Sequence, residues 1–86
     1  MDGKNKLKVI AVNWVDPFSV DEWENLEFIL DQPKCEIVTC GILVNDKGDN
    51  YIIAGNVDLN FDDLSCVMVI PKKYVTRRRV IGYVKR

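Results

Sequence analysis

An 86-residue chain with 48% hydrophobic and 29% charged residues has enough apolar material for one small core and too little length for two domains. It contains no histidine, which excludes histidine-based catalytic triads and removes the commonest metal ligand. No apolar run is long enough to span a membrane and the first residues lack the apolar core of a signal peptide, so we expect one cytoplasmic domain with no membrane contact.

The net charge of −1 conceals a segregation of charge along the chain. Residues 9–70 hold twelve acidic and two basic side chains, whereas residues 71–86 hold seven basic side chains and no acidic one. One chain therefore carries an acidic body and a basic end.

The first third of the chain predicts a strand followed by a helix. Residues 7–15 are rich in β-branched side chains and predict the first strand, which Pro17 ends. Ser19 and Glu22 stand at the spacing of a capping box, after which apolar residues recur at three- and four-residue steps. We predict a short amphipathic helix over about residues 19–31, inserted between the first two strands, with its acidic residues facing outward.

The remainder of the chain predicts four more strands. Apolar and β-branched runs lie between turn-forming segments at 35–44, 51–57, 64–70 and 76–84. Gly48 offers the positive φ that a hairpin loop between the second and third strands needs, and Pro71 ends the fourth strand. Five short strands hide their edges best by curling into a small barrel, and an open sheet with the helix on one face is the alternative. The predicted fold class is mainly β with one short helix.

Residues 69–75 (VIPKKYV), followed by a strand, resemble the end of SH3-like barrels. There the penultimate strand runs into I-P-x-x-Y-V, a single 3₁₀ turn and the last strand. A five-stranded, strongly bent barrel of this length is also similar to the Sm-like proteins, which form rings and bind RNA. The V-x-W-V-D-P near the start, together with I-P-K, resembles uncharacterised small barrel proteins of tailed phages. These resemblances imply a fold; the tyrosine motif of peptide-binding SH3 domains is missing after the first strand.

The sequence predicts no catalytic, cofactor or metal site, and we therefore expect a protein that is not an enzyme. Cys35, Cys40 and Cys66 match no metal-ligand spacing, and we predict reduced thiols packed as small hydrophobic side chains. The acidic residues around Gly48 lack the spacing of a calcium loop, which favours a plain hairpin turn. There is no phosphate-binding glycine loop.

The basic end is the first candidate binding surface. Alternation along a strand sends Arg77 and Arg79 to one face and Arg78 to the other. Guanidinium groups hold phosphates and a tyrosine ring stacks on a base, which is the combination that single-strand binders use. The predicted contact set for RNA or single-stranded DNA is Lys72, Lys73, Tyr74, Arg77, Arg78 and Arg79. The alternatives are protection of an edge strand, neutralisation of the acidic helix, or docking onto an acidic protein.

The acidic helix is the second candidate surface. The residues predicted to form it are Asp21, Glu22, Glu24, Glu27 and Phe28, and they would engage a basic protein partner or remain an ordinary solvated face. An acidic helix and a basic strand can also pair head to tail between copies, so we expect a homo-oligomer. The leading hypothesis is an oligomeric Sm-like barrel that contacts single-stranded nucleic acid through its last strand. The other is a protein-interaction module, such as a phage-type accessory protein or modulator.

Overall fold

A computed structural model describes residues 6–16, 23–30 and 35–86 of the chain, and the structural statements below concern these residues. The elements in chain order are β1 (Lys6–Asp16), α1 (Leu26–Leu30), β2 (Cys35–Asn45), β3 (Asn50–Asp58), β4 (Asp63–Pro71), a 3₁₀ turn (Lys72–Tyr74) and β5 (Val75–Lys85). The prediction of a mainly β fold with five strands is confirmed, and each predicted strand agrees with the observed one to within one residue at either end. Over the ranges described, no helix has the length and apolar character needed to cross a membrane.

The strands form one antiparallel sheet in the order β4-β3-β2-β1-β5. β1 lies in the interior of the sheet and pairs along its length with both β2 and β5. β3 pairs with β2 only near the turn that joins them, from Ile42↔Ala54 to Asn45↔Ile52, and then continues as a ladder with β4. Within the described part of the chain β4 and β5 are open edges, so closure into a barrel is not confirmed.

The core lies on one face of the curved sheet. Its buried cluster takes side chains from four strands: Ile10, Val12, Leu43, Ile53 and Ile70. Ile10, Val12 and Trp14 alternate along β1 and so share this face, which we call the core face. Full burial of each aliphatic side chain stabilises the fold by about 1.5–3 kcal/mol relative to exposure.

Strands β2 and β3 approach each other closely at Gly41. A Cβ atom at this position would lie 2.6 Å from Ile53 Cγ2 and 2.7 Å from the Ala54 carbonyl oxygen, closer than atoms can pack. The absence of a side chain therefore allows β3 to approach β2 closely at this point, where Ile53 enters the core.

The turns differ from the prediction in how they are closed. Gly48 does not have a positive φ, so its expected role in the β2–β3 turn is wrong. The side chain of Asn45 stabilises the turn instead, because its Oδ1 accepts a hydrogen bond from the Lys47 backbone N–H at 2.8 Å. In the β3–β4 turn it is Asp62 that has a positive φ, of 57°, and its N–H donates to the Asp58 carbonyl at 2.8 Å.

The described helix is shorter than predicted, and its described apolar side chains are exposed. The described helix spans Leu26–Leu30, whereas residues 23–25, which the prediction of 19–31 included, are not helical. Asn25 explains this start: its Oδ1 accepts a hydrogen bond from the Glu27 backbone N–H at 2.8 Å, as a helix-capping side chain does. The predicted capping box at residues 19–22 lies outside the described residues. The large apolar side chains of Trp23, Leu26 and Leu30 are exposed, so these described side chains do not cover a face of the sheet.

Candidate nucleic-acid interface

The three consecutive arginines of β5 divide between the two faces of the sheet. The β1–β5 register pairs Asn13 with Arg77, Val12 with Arg78 and Ala11 with Arg79. Directly opposed residues of neighbouring strands point to the same face, and Val12 belongs to the core. Arg78 therefore lies on the core face, while Arg77 and Arg79 lie on the opposite one, which we call the outer face.

The outer face brings β2, β1 and β5 together in two cross-strand rows. One row is Val38–Asn13–Arg77 and the next is Cys40–Ala11–Arg79. Both arginines are exposed, and Arg79 Nη2 donates a long hydrogen bond of 3.5 Å to Asn13 Oδ1.

Among the described residues, Arg77 and Arg79 are also the arginines without a neighbouring acidic side chain. No described carboxylate lies within ion-pair distance of either guanidinium. This row of β5 thus presents two guanidinium groups, two residues apart on one strand, to any anion that approaches the outer face.

Arg78 has a different environment on the core face. Its Nη2 lies 3.2 Å from Asp46 Oδ2, and both side chains are about one-third exposed. Its guanidinium carbon also lies 5.4 Å from the ring centre of Tyr51. Lys72 joins the same cluster: its Nζ lies 5.3 Å from that ring centre and donates a hydrogen bond to the Asp46 carbonyl oxygen.

The contacts among Asp46, Tyr51, Lys72 and Arg78 connect the β2–β3 turn to the 3₁₀ turn and to β5. A backbone hydrogen bond of 2.8 Å from the Lys72 N–H to the Asp49 carbonyl reinforces the junction. A cation over an aromatic ring contributes about 0.5–1 kcal/mol at an exposed site, and a partly exposed ion pair adds less than about 1 kcal/mol. Lys72 and Arg78 thus have partners within the chain, and we assign them mainly to positioning β5.

Lys73 and Tyr74 stay together at the start of β5. Lys73 is exposed and its Nζ lies 5.2 Å from the ring centre of Tyr74, which is half-buried. Lys72, Lys73 and Pro71 border a shallow cleft with Asp49 and Asn50. The six predicted residues therefore lie close together along the chain but are divided between two separate surfaces.

Sequence reasoning missed the contacts that Tyr51 and Asp46 make with Arg78 on the core face. Nothing local in the sequence marks these two residues, because their contacts with Lys72 and Arg78 depend on how the sheet curls. It also missed the pairing of Arg86 with Asp62, which joins the last residue to the β3–β4 turn.

The cysteine prediction is wrong in one respect. The three thiols are free, but all are exposed rather than packed as small hydrophobic residues. Cys40 lies on the outer face, and Cys66 lies on the edge strand β4.

The acidic surface is only partly described. Glu24 and Glu27 are exposed, whereas Asp21, Glu22 and the side chain of Phe28 lie outside the described residues. Trp23, Leu26 and Leu30 lie beside these acids in the sequence. Their spacing predicted the apolar side of a helix, and the structure shows that these side chains face solvent.

No family model matches this chain, and searches of curated proteins and of solved structures found no match either. The resemblance to SH3-like, Sm-like and phage barrel proteins therefore stays a prediction carried by the short motifs quoted above.

Proposed function

We propose that the protein is a non-enzymatic binding module that assembles from several copies and contacts single-stranded nucleic acid through β5. The observation that carries this proposal is the exposure of Arg77 and Arg79 on one face, with no carboxylate in reach among the described residues. A guanidinium binds phosphate oxygens in a planar, two-pronged arrangement, so two of them on one strand suit a phosphate backbone.

Base contacts would come from the turn that leads into β5. Tyr74 keeps part of its ring exposed and Lys73 lies beside it, so a base stacked on the ring would have a cation near its phosphate. Such stacking tolerates any base, which favours binding without strong sequence preference. Lys72 and Arg78 belong to this site as the residues that hold β5 against the β2–β3 turn.

The assembly is supported by the two open edges of the sheet. Exposed apolar side chains lie on both edge strands: Val67, Met68 and Val69 on β4, and Val80, Ile81 and Val84 on β5. Unpaired edges of this kind promote pairing with another chain. Pairing of β4 with β5 between copies would satisfy both edges, and we propose an SH3-like or Sm-like barrel as the curved unit that assembles.

Fluorescence anisotropy with labelled oligouridylate and oligothymidylate tests this function. We expect binding at low salt, with an affinity that falls as the salt concentration rises. Arg77→Ala and Arg79→Ala should each lower this affinity. The matched control is Lys47→Ala, which removes one exposed positive charge from the β2–β3 turn. Absence of binding at low salt would refute the proposal, and an equal loss in the control would show that net charge alone is responsible.

The second candidate is a protein-interaction module that uses the acidic helix. The exposure of Trp23, Leu26 and Leu30 beside Glu24 and Glu27 favours it. A pull-down that recovers one stoichiometric partner, lost in the Glu24→Lys, Glu27→Lys double variant, would support this reading over nucleic-acid binding. Recovery that survives the double variant would argue against it.

A further inference from the structure

Three described apolar side chains of residues 23–30 are not covered by the sheet of their own chain. Trp23 is fully exposed, Leu26 is 67% exposed and Leu30 is 73% exposed. Leu26 and Leu30 are four residues apart and share one side of α1, Trp23 precedes the helix, and Glu24 and Glu27 lie beside them in the sequence. Contiguous exposed apolar residues edged by charge mark interaction sites on soluble proteins.

The outer face of the sheet has the complementary character. Val38 is 56% exposed and Cys40 is exposed, whereas Ala11, in the same row as Cys40, is buried. Arg77 and Arg79 border this apolar centre on the β5 side. The outer face of the opposite edge offers no such border, since β4 contains no lysine or arginine.

We propose that residues 23–30 of one copy dock on the outer face of a second copy. Trp23, Leu26 and Leu30 would cover Val38 and Cys40, and Glu24 and Glu27 would face Arg77 and Arg79. The dimensions agree: a helix with its side chains is about 10 Å across, and three strands at about 4.8 Å spacing present a face of similar width.

The exposure and the charge of this segment favour a second copy as the occupant. Asp16 and Cys35 are directly paired, so the segment lies between the end of β1 and the start of β2. Trp23, Leu26 and Leu30 remain exposed in their own chain, which leaves them available to a neighbour.

The inference depends on the self-association in the proposed function. It does not depend on nucleic-acid binding. It adds a consequence to that function, because the acidic segment and a phosphate backbone would use the same two arginines. A docked segment and a bound strand would therefore exclude each other on a given copy.

Disulfide trapping between two differently tagged pools tests the docking. The acceptor pool carries Cys35→Ser and Cys66→Ser, which leaves Cys40 as its only thiol. The donor pool has all three native cysteines replaced by serine and carries Leu26→Cys. After mixing and mild oxidation we expect a reducible heterodimer, and a donor with Lys47→Cys in place of Leu26→Cys should give almost none.

Two outcomes would overturn the proposal. One is a heterodimer yield no greater than that of the Lys47→Cys donor. The other is a disulfide that forms only within one chain when Cys40 and Leu26→Cys are placed together, which would show that the segment docks on its own sheet. Since no nucleic acid is present, the result is independent of the anisotropy experiment, and each proposal can fail alone.

A charge exchange tests the predicted orientation of the docked segment. We expect Glu24→Lys with Glu27→Lys in the donor, or Arg77→Glu with Arg79→Glu in the acceptor, to reduce the yield several-fold. Combining both exchanges should restore it. An unchanged yield with either exchange alone would overturn the pairing of these charges.

Discussion

The close approach of β2 and β3 at Gly41 leads to a quantitative prediction about the stability of the fold. In the Gly41→Ala variant the new methyl group would meet Ile53 Cγ2 at 2.6 Å and the Ala54 carbonyl oxygen at 2.7 Å. One of these atoms belongs to the backbone and the other to a side chain in the core, so neither can move aside freely. Overpacking of this kind costs about 1–3 kcal/mol of the free energy of unfolding.

Thermal unfolding followed by circular dichroism measures this cost. For a domain of this size about 1 kcal/mol corresponds to roughly 4–8 °C in Tm, so we expect Gly41→Ala to lower Tm by about 5–20 °C. Gly82→Ala is the matched control, because nothing lies within 4 Å of its added Cβ and its φ is not positive. That control should leave Tm unchanged or raise it slightly, by reducing the entropy of the unfolded chain. Equal Tm values for the two variants would show that β2 and β3 do not approach each other at Gly41 as closely as described.

Three further predictions concern single contacts. Trp14→Phe removes the indole hydrogen bond to Thr39 Oγ1 (3.0 Å) and should lower the free energy of unfolding in urea by about 0.5–1.5 kcal/mol; no change would show that the bond contributes nothing. Asp46→Asn breaks the ion pair with Arg78 and should lower the free energy of unfolding in urea by less than about 1 kcal/mol; a larger loss would contradict a pair that is one-third exposed. Dithionitrobenzoate should titrate three thiols in the native protein without denaturant, and fewer would contradict the described exposure of Cys35, Cys40 and Cys66.

The strands were predictable because their signals are local. Alternating or continuous β-branched runs define each strand, and polar segments or Pro71 define where it ends. The 3₁₀ turn at Lys72–Tyr74 was also expected, from the resemblance of residues 69–75 to the end of SH3-like barrels. The alternation that places Arg78 opposite Arg77 and Arg79 follows from strand geometry alone.

The features that depend on distant contacts were not predictable. The ion pair of an arginine with an acidic residue depends on the position of the β2–β3 turn relative to β5. Only the structure places Asp46 and Tyr51 beside Arg78. The burial of Cys40 was wrongly expected because an apolar run does not reveal that one face of its strand remains open.

The helix shows the same difference between local signals, which the sequence reveals, and distant contacts, which it does not. Apolar periodicity correctly indicates a helical segment, but it cannot show whether the stripe packs on its own sheet. Here Trp23, Leu26 and Leu30 face solvent, and this exposure supports a contact with a second molecule.

The salt dependence of oligonucleotide binding tests the central claim most directly. Each phosphate contact on a single strand contributes a slope of about −0.7 to log K against log salt, so replacing Arg77 and Arg79 together by alanine should flatten the slope by about 1.4. Arg78→Ala should change it much less, because Asp46 already compensates that charge. If Arg78→Ala flattens the slope as much as the loss of either Arg77 or Arg79, or if the double variant leaves it unchanged, the outer face of β5 is not the binding surface.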